Sequence, residues 1–144
     1  MEIVTIVVAA EEDELSSVGE SNAPLDMWSG IEATGFDTLK FAALHCMMTG
    51  DTMQMALDLY EPAYVSEGET VVLRLADELL EQLALLDGDS LENVASELAA
   101  TEEFERDSWD PEAVLEQLTQ LSELAQLAES QAQVLFVWIY FLQT

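Results

Sequence analysis

The chain has 144 residues, half of them hydrophobic, which is enough for one domain with its own core and excludes a disordered acidic tail. Thirty acids face only Lys40, Arg74 and Arg106, for a formal charge of -27 at pH 7; direct binding of DNA, RNA or anionic lipid needs a basic footprint that this composition lacks. The single cysteine, Cys46, excludes an internal disulfide and a zinc cluster built on paired cysteines.

The opening Met1 to Ala10 lacks a positive leader and turns at once into Glu11-Glu12-Asp13-Glu14, so the expectation is a cytoplasmic protein rather than a secreted one. Within that opening, Ile3 to Val8 is β-branched and almost continuously apolar, as a strand covered on both faces would be. Glu11 to Ser17 reads as a short acidic helix or turn. Gly19 to Gly35, with Asn22, Pro24 and Gly30, has no sustained period and reads as a loop anchored by Trp28.

Asp37 is placed to cap a helix and Gly50 to end it in the left-handed conformation. Between them only Lys40 and His45 interrupt the apolar surface, so this helix is expected to be buried on most sides. In Met53 to Leu59 the large apolar residues alternate, which predicts a short edge strand. Ser66-Glu67-Gly68-Glu69 has the pattern of a capping box and predicts a helix from about Glu67 to Leu86, with Val72, Leu75, Ala76, Leu79, Leu80 and Leu83 along one side.

Asp87-Gly88-Asp89 ends that helix as a turn, and a weaker helix is expected over Leu91 to Ala99. An acidic connection carrying Phe104 and Trp109 leads to Asp110-Pro111, a strong start signal for a helix reaching about Ser130. Its stripe of Val114, Leu118, Leu121, Ala125 and Ala128 is too short for a coiled coil and predicts packing within the chain. Gln133 to Leu142 is too aromatic and branched for a surface helix and reads as a central strand beside the first. At nine residues, its uninterrupted apolar run Val134 to Leu142 falls far short of the about 20 that span a membrane. The fold class is therefore α+β in a single domain: a small sheet containing the N-terminal and C-terminal strands, packed with about four helices.

His45 stands next to Cys46, which invites a nucleophile and base, but adjacent residues on a helix point about 100° apart. Cys46 is expected as inert core packing and His45 as a buried, hydrogen-bonded residue; a carboxylate partner lining a pocket remains open. Met47, Met48, Met53 and Met55 read as core filling rather than copper ligands. Asp87-Gly88-Asp89 lacks the remaining ligands of a calcium loop. No metal and no cofactor are expected. Trp28, Tyr60, Tyr64 and Trp109 fall in predicted loops or at element ends, where they cap the core or, where they meet acids, offer a surface to a basic protein.

The helix Phe41-Ala42-Ala43-Leu44-His45-Cys46-Met47-Met48-Thr49-Gly50, Tyr64-Val65-Ser66-Glu67, Ser108-Trp109-Asp110 and the apolar terminal strand together resemble the YfbM-like bacterial family, whose function is unknown. The resemblance covers most of the chain and implies that family's α+β fold. It carries no catalytic signature. A second histidine that the family often bears one turn earlier is replaced here by Ala42, and the stretch Met53 to Tyr64 is shorter.

These observations lead to a non-catalytic, soluble acidic interaction protein of uncharacterised role. Two alternatives stay open: an acidic inhibitor or immunity protein that binds a basic nuclease or nucleic-acid-binding protein, imitation of DNA being one way to do so, and a small-molecule enzyme using His45. The acids are spread from Glu2 to Glu129, which favours adaptation to a salty interior over imitation of a polyanion. The oligomeric state is left open.

Overall fold

The computed structural model describes residues 2–21, 23–33, 36–66 and 70–142. Strand β1 (Glu2–Ala10) lies antiparallel to β5 (Val134–Leu142) along its whole length, from Glu2 opposite Leu142 to Ala10 opposite Val134. Three shorter strands, β2 (Ser29–Glu32), β3 (Tyr64–Val65) and β4 (Thr70–Arg74), complete an antiparallel five-stranded sheet in the order β2-β1-β5-β4-β3. The two end segments thus adjoin, with β5 in the middle, as their almost continuous apolarity predicts.

That apolarity has a direct cause: both faces of the sheet are covered. Val7, Ala9, Leu135, Val137 and Ile139 point into one core, and Ile6, Val8, Ala10, Phe136 and Trp138 into another. The first core is roofed by α3 (Thr38–Thr49), α5 (Asp77–Leu85), α6 (Gly88–Ala99) and α8 (Pro111–Ser130). The second is smaller. It is closed by Leu15 and Val18 of α1 (Leu15–Glu20), with Trp28 and Tyr64 against it, while α2 (Pro24–Met27) lies over β1 and β2.

Helix ends follow the caps written in the sequence. Asp37 accepts from the Lys40 amide at 3.0 Å and Gly50 adopts φ 83°, bounding α3. Asp110 accepts from the Ala113 amide at 2.8 Å with Pro111 in the first turn, and α8 runs from there to Ser130. The apolar stripe of α8 packs against α5, α6 and the sheet, within the chain. Asp87 belongs to the helix that follows it: its carboxylate accepts from the Ser90 amide at 3.0 Å and starts α6. Among the described residues no helix is long and apolar enough to cross a membrane.

Four further expectations are corrected. Met53–Leu59 is helix α4 rather than an edge strand. Thr52 caps it by accepting from the Met55 amide at 3.2 Å, and Met53, Ala56, Leu57 and Tyr60 face inward at helical spacing. Met55, predicted as core filling, is 53% exposed.

The helix expected over Glu67 to Leu86 begins only at Asp77, because Thr70–Arg74 is strand β4. Ser66 does use its hydroxyl as an acceptor, but for the Thr70 amide at 3.1 Å, while its own amide donates to the Thr70 carbonyl at 2.8 Å. The serine therefore closes a hairpin whose second arm is the β-branched run Thr70-Val71-Val72. The capping partner Glu69 lies outside the described residues.

The loop expected over Gly19 to Gly35 contains α2 and strand β2. Gly30 permits that strand, since a Cβ there would stand 2.4 Å from the Val7 carbonyl oxygen.

Candidate functional site

The five candidate residues do not form one surface. They divide among three places, and each place does something different.

His45 and Tyr60 are brought together in the main core, both buried. Nδ1 of His45 lies 3.0 Å from the Tyr60 hydroxyl and Nε2 lies 2.7 Å from Oδ2 of Asp51. The Ala76 amide, between β4 and α5, donates to the Tyr60 oxygen at 3.4 Å. One tautomer satisfies every group: Nε2–H donates to Asp51, and Nδ1 accepts from the Tyr60 hydroxyl. The chain of bonds ties the end of α3, the turn at Gly50, the end of α4 and the start of α5.

Local folding delivers Asp51 to that position. The left-handed Gly50 turns the chain back, the Asp51 amide donates to Thr49 Oγ1 at 3.2 Å, and Thr49 donates to the His45 carbonyl at 2.8 Å. Asp51 is the part of the relay that reaches solvent, its side chain 24% exposed. Burial raises the Tyr60 phenol well above its ordinary range, against the hydrogen bond from the Ala76 amide, and the charge of Asp51 adds to the rise.

A carboxylate, an imidazole and a hydroxyl in series is the layout of an activated nucleophile. Here the terminal oxygen is sealed and already hydrogen-bonded, so no substrate atom can meet it in this conformation. Cys46, half-buried, packs on the edge of the core. Burial raises its thiol, and the charges of Asp51 and Glu103 push the same way, keeping it protonated. The pairing of Asp51 with His45 escapes periodicity; its only signal is a carboxylate directly after Thr-Gly at a helix end.

Trp109 belongs to a second place, an aromatic cluster at the start of α8. It meets Phe36 edge-on at 5.9 Å and Phe104 at 5.7 Å, Phe104 being part of α7 (Glu102–Glu105). Lys40 is buried beside this cluster at 1% exposure, 5.8 Å from the Phe104 ring centre, and it pairs with Asp107 and, at 3.4 Å, with Asp37. Its hydrogen bond holds the Asp107 carboxyl below the usual range, with its charge as the next contribution. Arg74 is similarly shared, between Glu12 and, at 3.1 Å, Asp77. Lys40 and Arg74 are thus spent on internal pairs.

Trp28 and Tyr64 occupy the third place, on the opposite side of the sheet. Trp28 Nε1 donates to Glu14 Oε2 at 3.1 Å and the Tyr64 hydroxyl donates to Glu20 Oε1 at 3.3 Å. Glu14 precedes α1 and Glu20 closes it, so the helix is held at both ends by an acid-to-aromatic hydrogen bond. Gly19 allows the Tyr64 ring to lie against the helix; a Cβ there would be 2.1 Å from Tyr64 Cδ1. Beside Trp28, Leu25 and Met27 are 40% and 70% exposed, at an open depression that also includes Asp26, Ser29 and Gly30.

Among the described residues no group of three or more histidine, cysteine, aspartate or glutamate side chains is arranged to hold a metal ion. What fold and side chains define together is an antiparallel α+β protein with a buried His45–Tyr60 pair linked to the half-buried Asp51, and with Trp28 and Tyr64 bonded to acids on the other side of the sheet. Compared with protein-family models, curated proteins and solved structures, the chain finds no match.

Proposed function

We propose that this chain is a non-catalytic acidic interaction module of the cytoplasm that engages a basic protein. The observation that carries this reading is the pairing of Lys40, buried, and Arg74, at the surface, with carboxylates of their own chain, which leaves the surrounding acids with little local compensation. A surface of one sign speeds encounter with the opposite sign, and exposed apolar side chains within it can hold the complex. The sealed His45 supports the non-catalytic part of the reading, because a general base must reach the proton it removes.

Exposed acids also stand on α5, α6 and α8, at Glu78, Glu92 and Glu116 among others. Dispersal of this kind favours adaptation to salt over a single stripe imitating DNA. The likeness to the YfbM-like family belongs to the same proposal and bears on the fold rather than on an activity.

Affinity capture from the source cell, at moderate and at molar potassium chloride, tests the reading. It expects one basic protein retained in equal stoichiometry, which the purified pair then reproduces. Retention of no basic protein, or turnover of a small molecule lost in a His45→Gln variant that keeps its fold, would refute it.

A further inference from the structure

The exposed apolar residues of α2 specify what kind of basic partner fits. Leu25 and Met27 bracket Asp26 in a four-residue helix, and Trp28 follows, its indole fixed by Glu14. Leu25 lies against Gly30 of β2, where a Cβ would come within 2.9 Å of its Cδ2. Met27 nevertheless projects into solvent, although methionine is the side chain best suited to fill an irregular apolar recess.

The electrostatic setting is mainly acidic, Arg74 being the cation near it. The chain carries no lysine or arginine before Lys40, and Lys40 is buried elsewhere. Glu12 is matched by Arg74, but Glu11, Asp13 and Asp26 stand exposed, and Glu14 and Glu20 are engaged with the two aromatic rings. An apolar partner of negative or neutral rim would meet repulsion or unpaired carboxylates here. An apolar recess with a lysine or arginine rim would complement both the knob and its surroundings.

We propose that Leu25 and Met27 are the apolar anchor of a docking surface for a basic protein segment, an amphipathic element with apolar side chains on one face and cations beside them. The proposal rests on the basic-partner reading above and names the surface that would serve it. The side chains anchor, and the acids steer; affinity therefore has a salt-sensitive part and an apolar part that salt leaves intact.

Two synthetic helical peptides of equal positive charge separate these parts, one alternating lysine and leucine faces and one with glutamine in place of leucine. At physiological salt the leucine peptide is expected to bind the intact protein about tenfold tighter, the effect of covering one or two apolar side chains. Met27→Gln, and separately Leu25→Gln, should abolish most of that difference while leaving the glutamine peptide unchanged. Leu85→Gln, at an exposed leucine of α5, whose buried leucines pack in the core on the other side of the sheet, should leave the difference intact. Far-ultraviolet circular dichroism certifies each fold, and Met27, the more exposed residue, keeps the test available if Leu25→Gln unfolds. A leucine preference that survives Met27→Gln, or that Leu85→Gln removes equally, overturns the assignment of the anchor. Failure of both peptides to bind overturns the basic-partner reading itself.

Discussion

The Tyr60 hydroxyl lies 3.0 Å from Nδ1 of His45, although the two residues come from different helices and neither is exposed to solvent. Removing that hydroxyl leaves two buried groups without a partner, the imidazole nitrogen and the Ala76 amide. Tyr60→Phe is therefore predicted to destabilise the fold by about 1–3 kcal/mol, seen as a lower midpoint in urea. The nitrogen shifts of His45 should also move, because Nδ1 loses the hydroxyl that donates to it. An unchanged midpoint together with unchanged shifts would mean that the relay does not exist in solution.

Lys40 yields an asymmetric prediction. Asp37→Asn with Asp107→Asn keeps an N-cap acceptor on α3 but strands a buried ammonium, at an expected cost of about 3 kcal/mol or more. Lys40→Met removes the cation and leaves two carboxylates that already touch water, their side chains 41% and 52% exposed. It should cost less than the double replacement; unfolding curves that rank the two variants the other way round would contradict the pairing.

The same pair gives a pH dependence of known sign. The Asp107 carboxyl titrates lower in the folded chain than in the unfolded one, chiefly through its hydrogen bond from Lys40. Its contribution is present above the unfolded value and disappears as pH falls through the folded value. The stability difference between the parent chain and Asp107→Asn should therefore shrink on acidification below the ordinary carboxylate range. A gap that widens in acid would reverse the assignment.

Thr5 is buried in β1, and its hydroxyl has no hydrogen-bond partner among the described residues. Thr5→Val exchanges that hydroxyl for a methyl group in a strand that favours branched side chains. A gain of about 1 kcal/mol is expected, measured as a higher melting temperature with an unchanged circular dichroism spectrum.

Salt should stabilise the chain generally. With a net charge of -27, carboxylates repel across distances that the Debye length of about 8 Å at physiological salt does not screen, whereas molar salt shortens it to about 3 Å. The melting temperature is predicted to rise steadily with potassium chloride. A flat profile would show that self-repulsion is not a significant part of the stability.

The parts of the fold legible in sequence are those whose ends carry their own chemistry. Asp37 and Gly50 bound α3, and Asp110 with Pro111 opens α8, by bonds made within one turn of the residue that signals them. Ambiguity enters where one local pattern serves two structures. The alternation in Met53 to Leu59 also contains helical spacing, and tertiary burial of Ala56 and Tyr60 decides in favour of the helix. Ser66 can cap a helix or close a hairpin, and the choice depends on β5 being present to receive β4. His45 was legible as a buried, hydrogen-bonded group, whereas its partners Asp51 and Tyr60 depend on a turn and on a helix that the pattern conceals. Of the aromatic candidates, Trp28 and Tyr64 cap the smaller core and also meet acids, and Tyr60 and Trp109 pack into the main core.

Because β5 lies between β1 and β4, the sheet cannot be completed in the order in which the chain is made. The first strand emerges from the ribosome and must wait through more than a hundred residues for its principal neighbour, and β4 waits for the same one. Until then two greasy segments have open edges that invite wrong pairing. The acids of the intervening segment oppose the approach of a second copy while those edges are open.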